Sequence, residues 1–195
     1  MQRKKFLSFI GLSFLSAKVS AVMNMQSSGP EPEKFVFADD GKIPNSKFPL
    51  LVYREAFEAR GTDGAAWLER RFAGNNWTNS WRNGVYPFHH YHSTSHEVLG
   101  VYSGSALLHL GGEQGQKVEV RAGDVLIIPA GVGHKNLNSD ALGIVGAYPD
   151  GREWDINKGL PGERPQTDRN IEALPVPGAD PLWGKEKGLI KIWIK

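Results

Sequence analysis

No cysteine occurs anywhere in the 195 residues, which excludes disulfides, thiolate metal sites, cysteine nucleophiles and a lipid-modified N-terminal cysteine together. The chain also lacks a P-loop, a dinucleotide-binding glycine fingerprint and a G-x-S-x-G nucleophile elbow. It carries no internal repeat, no low-complexity tract and no basic stripe of the kind that tracks nucleic acid. Neither its 23 glycines nor its 12 prolines are dense enough for collagen or disorder. They punctuate the sequence as turns do in a β protein. At about 150 residues per domain, the length fits one domain with extensions.

The first 21 residues read as something other than that domain. Arg3, Lys4 and Lys5 form a basic start, Phe6 to Ala17 is an apolar run too short to span a bilayer comfortably, and Val19-Ser20-Ala21 places small residues where a signal peptidase reads. Residues 1–21 are therefore expected to be a cleaved signal peptide, leaving no stable membrane anchor and a periplasmic or secreted protein. Arg3-Lys4-Lys5-Phe6-Leu7 is similar to a twin-arginine core with Lys in place of the second Arg, and a Sec signal is the preferred reading. Removing this segment leaves 19 basic against 21 acidic residues, a formal net charge of −2. The sequence pI of about 8.8 thus belongs to the precursor and supports no nucleic-acid partner.

Residues 22–34 are polar and contain proline, as in a flexible arm. Strands are expected at Phe35–Ala38 and Phe48–Arg54, and one short helix at Ala65–Phe72, capped by Asp63. Short strands then recur between turns: Val85–His92, Val98–Tyr102, Ala106–Leu110, Lys117–Arg121, Val125–Ile128 and Leu142–Tyr148. That spacing predicts an all-β barrel or sandwich. After Pro149 a polar, proline-rich arm covers the domain, and the alternating tail Leu189–Ile194 predicts a last docked strand.

Four of the six histidines, His89, His90, His92 and His96, fall within eight residues, with His134 farther on. Strand side chains alternate, so His90 and His92 share a face while His89 and Tyr91 take the other. Two imidazoles one strand step apart can hold one metal in cis. Glu97 opens the next strand, and His134 follows the turn Pro129-Ala130-Gly131-Val132-Gly133. If two hairpins bring these groups to one barrel mouth, the result is an N3O site suited to one divalent transition metal: Fe, Mn, Ni, Cu or Zn.

These residues resemble a known pattern. Gly84, His90, His92, Glu97 and Gly104 stand at the spacing of the first cupin motif, and Gly123, Pro129, Gly131, His134 and Asn138 at that of the second. The intermotif stretch of 18 residues is short, as in compact microbial cupins. A closer similarity, to the uncharacterised bacterial YjlB-like cupins, rests on H-H-Y-H-S-T-S-H-E-V-L-G-V-Y and on G-A-Y-P-D-G followed by W-D. The resemblance implies a single-domain, jelly-roll-type β-barrel over residues 35–195 with its core at 84–148, a short N-terminal helix and flanking arms. It implies a metal held by His90, His92, Glu97 and His134, with Gly84, Gly104, Gly123 and Gly131 at turns or close approaches. Cupins commonly pair, so a homodimer is compatible with it.

The remaining candidates read as structural. His89 faces outward beneath the N-terminal arm, His109 is a satisfied strand histidine, and His96 lies at the surface or behind the ligands. Arg82 is expected in a salt bridge or stacked on Trp81, Asn138 in a turn or a backbone-bonding role, and Tyr86, Phe88 and Tyr102 mostly in the core. Two functions follow. One is a metal-dependent enzyme acting on a small oxygen-rich molecule by dioxygenase, decarboxylase or isomerase chemistry, with Glu97 as its catalytic carboxylate. The alternative is an extracytoplasmic metal-dependent binding protein without catalysis. The export reading predicts that the mature chain begins at Val22, to be checked by N-terminal sequencing of exported protein; an intact Met1 in the soluble cytoplasm would overturn it.

Overall fold

The computed structural model describes residues 31–194; the expected signal peptide and most of the following arm lie outside them. The elements in chain order are β1 (Glu33–Phe35), β2 (Leu50–Tyr53), α1 (Gly61–Gly74), β3 (Trp77–Asn83), β4 (Glu97–Leu110), β5 (Gln116–Arg121), β6 (Val125–Ile128), β7 (His134–Pro149), α2 (Gln166–Ala173) and α3 (Leu189–Ile192). All pairings are antiparallel, in the order β1-β2-β6-β4-β7-β3 with β5 added on β4. This is the all-β, single-domain cupin architecture.

The runs Leu50–Tyr53 and Val125–Ile128 are apolar at every position because both faces of the sheet are covered. Leu50, Val52, Leu126 and Ile128 join Leu99, Val101, Leu108 and Leu110 in the barrel interior. Leu51, Tyr53, Val125 and Ile127 face the other way, against α1 and the C-terminal segment. On that outer side Leu68 of α1 presses on Gly100 of β4, where an added Cβ would meet Leu68 Cδ2 at 2.6 Å. A side chain at position 100 would lift the helix off the sheet.

Several elements differ from the sequence expectation. Val85–His92 is no strand; Pro87 has no N–H to give a ladder, and only isolated bridges form, at His90 and Tyr91. The strand lies earlier, in the polar run Trp77–Asn83, where Asn79 at φ 55° and a register shift between Thr78 and Trp81 interrupt simple alternation. The two strands expected at Val98–Tyr102 and Ala106–Leu110 are one 14-residue strand. Gly104 does not turn the chain there; at φ 63°, with an added Cβ only 2.1 Å from Asp140 O, it makes a bulge against β7. Gly84 has neither a positive φ nor a close neighbour. Asp63 lies in the first turn of α1, while the N-cap is Arg60 without a side-chain cap bond.

The tail is a short helix rather than a strand. Leu189 and Trp193, four residues apart, are both buried, and Trp193 stacks on Phe48 while its Nε1 donates to Pro49 O at 2.9 Å. The i, i+4 pair outweighs the Ile190/Ile192/Ile194 alternation, and Ile194 is left exposed. Among the described residues, no helix is long and apolar enough to cross a membrane.

His96 is buried, not at the surface. Its Nδ1 accepts from Ala130 N at 3.0 Å and its Nε2 lies 3.3 Å from Pro175 O, which fixes the neutral ring with its proton on Nε2. Burial pushes its pKa down to about 4, aided by Arg152 and opposed by the Pro175 carbonyl. The unfolded chain therefore takes up a proton at pH 6.5 that the folded chain refuses until about pH 4. Stability from this group is full above pH 6.5 and falls by about 1.4 kcal/mol per pH unit as pH drops through that window. Urea denaturation from pH 7 to 5 should show a shallower pH slope in His96→Gln than in the parent; equal slopes would refute this account.

Candidate metal centre

The site starts from a backbone pairing. His90 N donates to His134 O at 3.2 Å and His134 N to His90 O at 2.9 Å, so the segment before β4 and the start of β7 are locked residue against residue. Tyr91 bridges similarly to Asn157. Alternation on either side of Tyr91 then turns His90 and His92 the same way. Glu97, the first residue of β4, points to the interior two residues before Leu99.

His90, His92 and His134 each offer one ring nitrogen within 4.8 Å of the others. In each ring Nδ1 faces a backbone carbonyl: Phe88 O at 3.4 Å for His90, Val132 O at 3.1 Å for His134, and Asp155 O for His92. A carbonyl accepts only, so each ring places its proton on Nδ1 and leaves Nε2 as an unprotonated donor. The Glu97 carboxylate joins them, with Oε2 3.3 Å from His134 Nε2 and 3.5 Å from His92 Nε2. All four side chains are buried.

This arrangement fits a cation. Lone pairs from three imidazoles face a carboxylate, and both His92 Nε2 and Glu97 Oε2 are buried without a hydrogen-bond partner. Orphaned polar atoms of this kind are costly unless something binds them. Burial, then the neighbouring His134 and His92, push His90 down to about 2, so it stays neutral. For Glu97, burial raises the pKa but the adjacent His92 and His134 outweigh it and hold the carboxyl well below its usual range. Burial lowers the His92 pKa, but the Glu97 carboxylate outweighs it and raises it, so an ion would bind there by displacing a proton. One ionised carboxylate and three imidazole Nε2 atoms form the donor set of a borderline divalent ion.

Around this set lies a cavity of about 430 Å³. Its walls include Trp81, Tyr86, Leu99, Tyr148 and Trp154. The Tyr148 hydroxyl donates to Glu97 Oε1 at 2.9 Å and receives Trp81 Nε1–H at 2.8 Å. Trp81 can lie flat there because position 146 is glycine; a Cβ would meet its Cζ2 at 2.2 Å. Trp154 stacks on Tyr148 and meets the His92 ring edge-on. A larger groove of about 900 Å³ between β4, β5 and Arg54 contains no imidazole and is unconnected with this chemistry.

Sequence reasoning missed Trp81, Tyr148, Trp154 and Asp155. The only available signal was the stretch Y-P-D-G followed by W-D. Asp155 is an anchor: its carboxylate accepts from Ser93 N at 2.6 Å, Asn157 Nδ2 at 2.7 Å and Thr94 Oγ1 at 3.2 Å, while its carbonyl takes the His92 proton. Other candidates fall elsewhere. Arg82 forms an ion pair with Glu69 at 2.7 Å. Asn138 sits in the β7 ladder opposite Leu107, so of its two expected places the turn is excluded. Tyr86 and Phe88 are not core but stack on each other at the rim, 43% and 37% exposed. His89 turns outward as expected and lies against His109 and Glu113.

Residues 82–142 match the cupin domain family. The uncharacterized protein YjlB of Bacillus subtilis (strain 168) is 41% identical over 167 residues, which covers 85% of this chain and 98% of that one. The chain is a cupin of the YjlB family. Solved structures are similar over part of the chain. An acireductone dioxygenase from Bacillus anthracis, with a cadmium ion in its active centre, is 18% identical over 46% of this cupin and 61% of that chain, at a TM-score of 0.34. A DUF861 family protein from Thermotoga maritima is 21% identical over 40% of this cupin and 83% of that chain, at a TM-score of 0.28. At such scores neither bears on the chemistry of this cupin.

Because Asp155 orients His92 from behind, Asp155→Ala should leave the cupin folded but lower its affinity for a divalent metal about 10- to 100-fold. Competition with a chromogenic chelator measures this; an unchanged affinity would show that the clamp does not position the ligand.

Proposed function

We propose that this cupin is a metal-dependent enzyme for a small oxygen-rich molecule, with one divalent transition metal held by His90, His92, His134 and Glu97. The supporting observation is the convergence of these four donors, two with orphaned atoms, on the floor of an aromatic-walled cavity. A bound ion of this class supplies Lewis acidity toward substrate oxygens or a site for oxygen chemistry.

The protein's own groups do the rest. The three Nδ1–H to carbonyl bonds keep the imidazoles oriented, with Nε2 turned to the centre. Burial, then the Glu97 charge, push the Tyr148 hydroxyl up, so it remains a donor and holds Glu97 Oε1. Glu97 Oε2, which faces the imidazole nitrogens, would be the ligand oxygen, and on leaving the ion it is the one able to take a proton from a bound substrate, which makes Glu97 the catalytic carboxylate of this reading. Trp81, Trp154 and Tyr86 shape a wall that limits water and leaves room for a small molecule. The expected chemistry is of dioxygenase, decarboxylase or isomerase type, in a periplasmic or secreted protein if the N-terminal signal acts as read.

Glu97→Gln keeps size and one coordinating oxygen. It should retain much of the metal and of any small-acid binding while turnover falls roughly 10²-fold or more. Titration calorimetry beside a turnover assay with oxygen uptake as one readout, on parent and variant carrying the same metal, checks this. A ligand that binds tightly and emerges unchanged from the parent protein would replace catalysis with binding alone.

A further inference from the structure

We propose that His89, His109 and Glu113 form a second divalent-metal site on the outside of the barrel, taking a late first-row ion such as Zn2+ or Cu2+. One donor atom from each lies within 4.8 Å of the others. The His89 and His109 ring centroids are 4.9 Å apart, and His89 Nε2 is 3.5 Å from Glu113 Oε1.

The observation that points to a ligand is His89 itself. Its side chain is only 9% exposed, yet neither ring nitrogen has a hydrogen-bond partner. A neutral imidazole carries one N–H and one lone pair, and burying both unpaired is unfavourable. Packing alone gives no reason to place an imidazole there, whereas a metal consumes the lone pair. His109 stands between Leu108 and Leu110, which point into the barrel, so its ring lies on the opposite face of β4. Glu113, in the β4–β5 turn and 73% exposed, completes an N2O set whose remaining positions open to water.

The site adjoins the two backbone segments that hold His90 and His134: His89 lies on the first, and His109 of β4 is paired with Lys135 on the second. In one, His90 turns inward and His89 outward. In the other, His134 turns inward and Lys135 outward. An ion outside would therefore brace the His90–His134 bridge from behind. Two imidazoles with one carboxylate select borderline ions over Ca2+ or Mg2+. The local charge weakens the site: Lys135 and Lys117 flank His109 in the ladder, and Lys135 Nζ holds Glu113 Oε1 at 2.6 Å. Binding is therefore weaker than at the interior centre, because Lys135 competes for the Glu113 oxygen that faces His89.

The test is Zn2+ titration of tag-free, metal-stripped full-length protein by calorimetry. The parent should bind two equivalents, the second more weakly. Glu113→Gln and His109→Gln should each weaken the second event about tenfold or more and leave the first unchanged. With the first site filled by Zn2+, added Cu2+ should give an electron paramagnetic resonance signal with hyperfine coupling to two imidazole nitrogens, lost in His109→Gln. Glu113 is exposed, so its variant does not threaten folding. A single event in the parent, or a second event unchanged in His89→Ala, His109→Gln and Glu113→Gln, would overturn the proposal. Failure of the interior reading is distinct: the event tied to His90 and His134 would be missing while the one tied to His109 persisted.

Discussion

The two hydrogen bonds between His90 and His134 are the constraint on which the site depends. They bind an irregular segment to the first residue of a strand and fix both chains in register. Strand alternation then decides what faces where: His90 and His134 inward to the cavity, His89 and Lys135 outward. A slip of one residue would exchange the two sets. The same short pairing thus presents metal-type donors to a buried cavity and sets His89 against His109 and Glu113 on the exterior.

That pairing is held from several sides. The loop after His92 is clamped by Asp155, which reaches back from the covering arm to Ser93 and Thr94. Beneath it, β2, β4 and β6 are covered on both faces, by the barrel interior and by α1 with the C-terminal helix. Full burial of each large apolar side chain contributes about 1.5–3 kcal/mol. The cost of burying three imidazoles around an ionised carboxylate is therefore met by a core that the site itself does not supply.

Inside the cavity, electrostatics are set by hydrogen bonds more than by net charge. Trp81 donates to Tyr148, and Tyr148 donates to Glu97. In a low-dielectric interior, such a chain polarises along its length and steadies the carboxylate at its end. It also divides the two oxygens of Glu97: one is engaged by the phenol and the other turns toward the imidazoles.

The sequence by itself determined the all-β class and singled out His90, His92, Glu97 and His134 as candidates. Those features live in local patterns: turn residues at short intervals, a two-residue step between His90 and His92, and fixed spacings around Glu97 and His134. Tertiary structure decided the rest. Trp81, Tyr148, Trp154 and Asp155 come from β3, β7 and the covering arm, and nothing in their own neighbourhoods announces a shared cavity. The tail became a helix because Leu189 and Trp193 meet a hydrophobic surface made by distant residues, including Phe48. His89 acquired neighbours that local alternation could not show, since His109 and Glu113 reach it only through the pairing of β4 with β7. Local pattern fixes the direction in which a side chain points; the non-local ladder and packing decide what it meets.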